Sequence, residues 1–442
     1  MKIVDKTVTQ IIDTEYREYA MYVLENRAIP SVIDGMKNVH RKLVYAMLTE
    51  HSGKKVKLAD LSGISKFNYH HGESSAAGAA VTLTAEWNNN CSIFTGHGNF
   101  GSRLVQEAAA PRYIFATLSP EFKKIFIDTE VAPPSLDIED PEPQYYLPII
   151  PWVLVNGISG IAVGFATSIL PRSISDLTLA TKSYLKNPSK FLEKNDPIPP
   201  TFPHFRGIIK QESETGLNWS TTGIIEYIGK YQYKISELPI GYDREAYVTL
   251  LNKMIDSDLI RDYEDDCSEA GFGFTIKVSG AQKEQADKDP IAYFKLQKKH
   301  SENLTTLGHD GKLKIFKSVS ELIAYFCEFR TKMFGVKIDY DKEKIRSEII
   351  VLSDKQRFIS HVIEGDIDFK TTTKKELLEF IDSRITHDDH GKGFIRIPLY
   401  EITMDSWVEL SHDIKKLMEQ MTVLNESTPE KLFVSRLNSI KI

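Results

Sequence analysis

The stretch "TGHGNFGSRLVQEAAAPRYIF", residues 95–115, decides between two folds. Gly96, Gly98 and Gly101 stand at the spacing G-x-G-x-x-G. That spacing cradles a dinucleotide pyrophosphate when it closes a strand, opens a helix and meets an acidic residue about 20 positions later. "CSIF" (91–94) reads as a short strand, which half meets the first condition. The others fail: Pro111 stops any long helix after the glycines, and no strand ending in Asp or Glu stands at the required distance. A nicotinamide or flavin fold is disfavoured, no cofactor-binding residue is assigned, and the glycines remain a tight loop in need of another explanation.

Working outward, the 442-residue chain is long enough for two to four domains, with 41% hydrophobic and 26% charged residues. Cys91, Cys267 and Cys327 lie far apart with no C-x-x-C pair, which suits a reducing compartment and argues against structural zinc. No charged start leads into an apolar h-region, so nothing suggests export. "YYLPIIPWVLVNGISGIAVGFATSIL" (145–170) is long and almost uncharged, but Pro148, Pro151, Asn156, Gly157, Gly160 and Gly164 divide it. It reads as buried strands, not a membrane span.

The net charge is −6, yet residues 27–66 form a basic island. Arg27, Lys37, Arg41, Lys42, Lys54, Lys55, Lys57 and Lys66 face only Asp34, Glu50 and Asp60. Such an island is either a solvated helix face or a nucleic-acid footprint. "NVHRKLVYAMLTE" has helical spacing, with Val39, Leu43, Ala46 and Met47 on one face, and "LADLSGISKF" reads as a second short helix. "ESSAAGAAVTLTAEW" starts a third whose first turns carry almost no side chains, so its positive N-terminal end is open to a phosphate or to a packed helix. Three short helices with a basic border resemble a helix-turn-helix.

Five segments make the resemblance specific: "RAIPSVIDGMKNVHRKLVYAM" (27–47), "YHHGESS" (69–75), "GHGNFGSR" (96–103), "AAAPRYIF" (108–115) and "LVNGISGIAVGFAT" (154–167). In order and spacing they resemble the breakage-reunion part of type IIA DNA topoisomerases, and weaker similarity extends over roughly residues 15–425. In that family the glycine turn precedes the catalytic tyrosine and binds no dinucleotide. The resemblance implies an α+β multidomain chain. Residues 1–20 would be an N-terminal arm, and 21–125 a winged-helix (helix-turn-helix) DNA-binding domain carrying the tyrosine. Residues 126–318 would be an α/β tower domain, and 319–442 a long antiparallel coiled coil with a small helical C-gate globule at about 366–404.

The resemblance also implies roles. Tyr113 would attack a DNA phosphodiester and form a 5′-phosphotyrosyl ester, which stores the bond energy for resealing. A phenol with a pKa of about 10 needs electrostatic help at neutral pH. Arg112 would supply it at the pentacovalent phosphate, and His71 would assist proton transfer. Arg27, Lys37, Arg41, Lys42, Lys66, His70, His71 and Ser74 are expected along the DNA. Tyr69, where bacterial relatives carry histidine, is expected to contact or pack beside it. Ile161 would be a wedge entering a base step, although patterning alone reads it as a core isoleucine on a buried strand.

From Ser320 the pattern is helical. Ile345, Ile349, Leu352, Gln356, Ile359 and Ile363 are separated by steps of four and three, as are Leu410, Ile414, Leu417, Met421 and Leu424. Two such seams read as an antiparallel coiled-coil arm, with Phe394, Ile395, Ile397 and Leu399 as candidates for a dimer contact at its tip.

Some chemistry is missing. The acidic runs at 256–258 and 366–368 lack a magnesium-site context, the "HDDH" at 387–390 reads as an exposed loop, and no G-x-x-x-x-G-K-[ST] occurs. No metal site is expected in this chain. Mg²⁺ would come mainly from a partner toprim domain and ATP from a partner ATPase chain. The remaining expected partners are double-stranded DNA and a second copy of the chain, with no membrane contact. The absence of nucleotide-binding and DNA-wrapping regions suits a divided, bacteriophage-type member acting in the host cytoplasm. Two rivals stay open: a non-catalytic DNA-bending protein needing the basic island and Ile161 but not Tyr113, and a dinucleotide enzyme.

Overall fold

A computed structural model describes residues 6–368, 371–386 and 388–440. The chain divides into two compact units, Met1–Arg330 with Val434–Ile442, and Thr331–Phe433.

In the first unit, the helix Asn38–Thr49 buries Leu43, Val44, Ala46 and Met47, the apolar positions spaced for one face. The next predicted helix is broken: Leu58–Leu61 is α-helical, and Ile64–Phe67, after Gly63, is a 3₁₀ turn. The helix Glu73–Thr84 follows Gly72 and buries Ala76, Ala77, Ala80 and Leu83, small residues that let it pack closely. Against these helices lies a three-stranded antiparallel sheet with Phe115–Leu118 between Val56–Lys57 and Phe94–His97. The central strand thus begins two residues after Tyr113. The strand expected at 91–94 runs instead from Phe94 to His97, so Gly96 lies within it.

The apolar stretch 145–170 differs from the expectation of buried strands. Tyr145–Val155 is buried but irregular, with a 3₁₀ turn at Trp152–Leu154, because its prolines interrupt strand pairing. The hairpin Ile158–Ile161 with Ala166–Ile169 turns its tip outward, with Ile161 and Phe165 exposed while Thr167 and Ile169 are buried. Among the described residues no helix is long and apolar enough to cross a membrane.

Residues 204–301 form two antiparallel sheets. One has the order Asp262–Asp265, Phe274–Lys277, Gln232–Glu237, Ile224–Gly229; the other Gln297–Ser301, Asn218–Thr222, Ile208–Gln211. The helix Arg244–Asp256 closes the first with Tyr247, Leu251 and Met254, which join Tyr233, Ile235, Phe274 and Phe294 in one apolar cluster.

In the second unit the long helix Val319–Ile363, which begins in the first, is followed by Lys374–Arg384, two 3₁₀ turns and the helix Met404–Glu426. The two long helices are joined here by Trp407 Nε1 donating to Ser360 Oγ at 2.9 Å, and Lys355 ties the first of them to the 3₁₀ turn Leu399–Glu401 by pairing with Glu401 at 3.1 Å. Leu410, Ile414 and Ile359 are buried and Leu417, Met421, Leu424, Ile345, Ile349 and Leu352 half-buried, whereas Ile363 is exposed, so the apolar line ends before it. Phe394 corrects another expectation. It is not a surface contact but part of a core with Phe358, Ile367, Ile381 and Ile385, and Ile395 and Ile397 pack against that core. Leu399 is 76% exposed, and Tyr400, Met404 and Val408 are exposed with it. The 387–390 stretch falls partly outside the described residues, at His387.

Candidate active site and nucleic-acid interface

Tyr113 sits on a turn, its N–H donating to Ala110 O at 2.9 Å. The turn is braced on both sides by the helix at Leu58: Ala59 N donates to Pro111 O at 3.2 Å and Leu58 N to Ile114 O at 3.0 Å. Ile114 is buried and anchors the segment, which leaves Tyr113 68% exposed. The Arg112 guanidinium lies 5.0 Å from the centre of that ring. A permanent cation is therefore held beside a phenol that faces solvent.

The glycine loop has a local cause. Gly98 has a φ of +115°, and a Cβ there would stand 2.8 Å from Ile114 Cγ2. A Cβ at Gly96 would meet the Phe100 ring at 2.7 Å, and one at Gly101 the Gln106 carbonyl oxygen at 2.6 Å. The glycines let the loop close on itself and on the residue after Tyr113. Its space is taken by protein atoms, and this counts against the dinucleotide enzyme.

His71 lies in the "YHHG" turn, its Nε2 3.2 Å from Tyr22 Oη and its ring edge-on to Tyr69 at 5.2 Å. Among the contacts of the described residues, no hydrogen bond or ring contact joins His71 to Tyr113. His70 and Ser74 are exposed at the start of the Glu73–Thr84 helix, whose N-terminal end has no side-chain cap. Tyr22, 49 positions away, carries no local signal that could have revealed its contact with His71.

The basic island separates into exposed and structural members. Arg27 is exposed. Lys66 is exposed but pairs with Glu50 at 2.5 Å. Lys37 occupies the position just before the Asn38–Thr49 helix and donates from Nζ to Ser159 O at 2.7 Å, and its partial burial lowers its pKa. Arg41 is largely buried and pairs through Nε with Asp34 at 2.8 Å. Asp34 also accepts the N–H groups of Met36 and Tyr146, while its complete burial raises its pKa against the pull of Arg41. Lys42 is a correction. It is 1% exposed and held by Asp140 and Glu142, both at 2.7 Å, because the helix turns it toward the 132–144 loop; it is a structural cation, not a DNA contact. The acids of "IEDPEP" were the available signal.

Ile161 ends the outward hairpin and is 87% exposed, with Phe165 exposed beside it. It is not a core residue. Gly160 has its own reason: a Cβ there would lie 2.1 Å from Ala28 O, so the hairpin rests directly on the main chain next to Arg27.

Among the described residues the one group of three with ligand atoms within 4.8 Å of one another is His361, Glu364 and Asp366, in the other unit.

A family model for the A-subunit of DNA gyrase and topoisomerase IV matches residues 27–438. The DNA topoisomerase medium subunit of Enterobacteria phage T4 is 35% identical over 95% of each chain. The mitochondrial DNA topoisomerase 2 of Dictyostelium discoideum is 28% identical over 98% of this chain, which spans only 35% of that protein's length. The solved DNA-binding, cleavage and re-ligation domain of Plasmodium falciparum topoisomerase II superposes with a TM-score of 0.86 at 26% identity, covering 97% of this chain and 63% of that one. With a match running from Arg27 through the Arg112 and Tyr113 turn almost to the end of the last helix, Pro429–Ser439, the chain belongs to the DNA gyrase/topoisomerase IV A-subunit family and is a type II DNA topoisomerase chain.

Proposed function

We propose that this chain is the DNA cleavage and religation subunit of an ATP-dependent, double-strand-passing topoisomerase, with Tyr113 as nucleophile. The phenol oxygen bonds to a backbone phosphorus, the bond to the 3′ oxygen breaks, and the strand is left with a 3′ hydroxyl and a 5′-phosphotyrosyl ester. Resealing reverses these steps. The observation that carries this reading is the exposed Tyr113 ring with the Arg112 guanidinium 5.0 Å from its centre, on a turn braced by buried neighbours. Arg112 stabilises the charge that grows on the phosphate, where a fixed donor is worth most. His71, oriented by Tyr22 and Tyr69, serves proton transfer or a non-bridging oxygen.

Residues 21–125 act as a winged-helix domain, 126–318 as a tower and 319–442 as a coiled-coil arm with a C-gate tip. DNA lies along Arg27, Lys37, His70 and Ser74, and Ile161 enters a base step. One tyrosine cuts one strand, so two copies act as a C₂ dimer matched to the local two-fold axis of the duplex. As the family resemblance implies, Mg²⁺ and ATP are assigned to toprim and ATPase partner chains. The work belongs to viral DNA replication in a host cytoplasm.

The test is to trap DNA with denaturant in the presence of the partner chains and Mg²⁺. A covalent adduct that disappears in Tyr113→Phe supports cleavage. DNA bending without an adduct would support the non-catalytic bending protein instead.

A further inference from the structure

Between Phe100 and Tyr113 the chain leaves the three-stranded sheet, touches the 204–296 region and returns. At the near end Phe100 is buried, and its carbonyl oxygen accepts the Trp87 indole N–H at 3.1 Å. Leu104 packs on the apolar cluster that contains Tyr247, Phe274 and Phe294, and its carbonyl oxygen accepts the Arg244 N–H at 3.1 Å. Arg103 makes the strongest attachment. Its guanidinium lies 5.4 Å from the Phe205 ring centre and 5.2 Å from that of Phe272, pairs with Glu237 at 2.9 Å and donates to Leu238 O at 3.1 Å. Glu237 is a fixed anchor: it is 1% exposed, ends the strand Gln232–Glu237 and also accepts the main-chain N–H groups of Leu238 and Arg206.

On the return, Ala109 N donates to Asn99 O at 3.0 Å and Gly101 N to Asn99 Oδ1 at 2.8 Å, so the loop closes as one piece before the tyrosine turn. A cavity of about 610 Å³ opens beside the junction, lined by Trp87, Gly101, Arg103, Arg206, Glu237 and Phe272 among others. Continuous packing therefore does not join the loop to the 204–296 region there. Discrete attachments at Arg103 and Leu104 do, and a hollow beside them leaves those contacts to carry the alignment.

We infer that Arg103 is a positioning residue for Tyr113, tying the loop that ends in the tyrosine to Glu237, Phe205 and Phe272. The orientation of the 204–296 region then sets where the phenol oxygen stands relative to the phosphate. The inference rests on the reading of Tyr113 as nucleophile. A displacement of about 1 Å at a reacting group costs roughly 10²-fold in rate, so a clamp ten residues upstream is worth keeping rigid. Arginine suits the place because its planar fork stacks between two rings while pairing with a carboxylate. A lysine keeps the charge and loses both geometries.

The experiment uses the complete topoisomerase complex with Arg103→Lys and with the pair Arg103→Met and Glu237→Gln, which leaves no unpaired buried charge. Melting temperature, DNA affinity and the single-turnover rate of phosphotyrosyl adduct formation on a labelled duplex are measured. Both variants should bind DNA within about twofold of the parent while forming the adduct at least about tenfold more slowly, with kcat reduced and KM for DNA unchanged. Adduct formation at the parental rate in either folded variant overturns the inference, as does a loss of rate that only parallels a loss of DNA affinity. Should the double variant not fold, Arg103→Lys decides by the same split. Failure of the nucleophile reading looks different: Tyr113→Phe in the otherwise unaltered chain would still yield an adduct.

Discussion

Lys37 donates its ammonium to the main-chain oxygen of Ser159 at 2.7 Å, across 122 positions of sequence. That bond joins the first turn of the Asn38–Thr49 helix to the hairpin that ends in Ile161. Gly160 completes the joint by lying flat on the Ala28 carbonyl. A cation expected at the DNA backbone and an apolar tip expected between bases are thus parts of one rigid corner.

Ile161→Ala should leave folding intact, because an exposed side chain away from caps and pairs changes stability by no more than about 0.5 kcal/mol. DNA bending, read by fluorescence transfer between duplex ends, should fall, and cleavage with it. Normal bending in a folded Ile161→Ala protein would remove the wedge role.

Arg112→Ala should reduce adduct formation by about 10²–10³-fold, the scale for losing one donor to developing charge. DNA affinity should change little, since many other contacts hold the ground-state duplex. Equal losses of affinity and cleavage in titration and single-turnover assays would make Arg112 a binding residue.

Arg27 and Lys42 should separate in salt titrations. Arg27→Ala removes an exposed cation and should lower the slope of log affinity against log salt by about one. Lys42→Ala should leave that slope unchanged, and should instead destabilise the fold by about 3–5 kcal/mol by leaving Asp140 and Glu142 without their cation. A lowered slope in a folded Lys42 variant would return that residue to the DNA surface.

Acid should act through His40. Burial, then the neighbouring Lys37 and Arg41 charges, depress its pKa from 6.5 to about 3, and its neutral Nδ1 accepts the Lys37 N–H. The unfolded chain therefore binds a proton that the folded chain refuses between these values. The contribution is complete above pH 6.5 and is lost as pH falls toward about 3. By pH 5 the loss should be about 1–2 kcal/mol, and His40→Gln, whose amide oxygen can accept the same N–H, should flatten it. Urea midpoints of both proteins at pH 7, 6 and 5 measure the difference; parallel curves would exclude His40 as the cause.

At the tip, Phe394 and Leu399 should behave oppositely. Phe394→Ala empties a core and should cost about 3–5 kcal/mol in the second unit. Leu399→Glu should fold normally and weaken the DNA-free dimer measured by sedimentation. A dimer untouched by Leu399→Glu with Tyr400→Glu would place the lower contact elsewhere.

Local chemistry determined what could be read in one dimension. The spacing of Leu43, Ala46 and Met47 called for a helix, Pro111 ruled out a long helix after the glycines, and the steps of four and three through Leu410 and Ile414 marked a buried line. The five ordered segments named the family. Tertiary structure alone decided the rest, because burial and charge pairing depend on neighbours far along the chain. Lys42 left the basic island when the 132–144 loop brought Asp140 and Glu142 to it. Phe394 and Leu399 look alike in sequence, yet one fills a core and the other faces solvent. Ile161 sits in a run that reads as buried strand, and only the pairing of Ile158–Ile161 with Ala166–Ile169, propped on Ala28, turns it outward. The glycines of "GHGNFGS" carry the pattern of a phosphate cradle. They were required instead because Phe100, Ile114 and the Gln106 carbonyl press against them, leaving no room for a side chain.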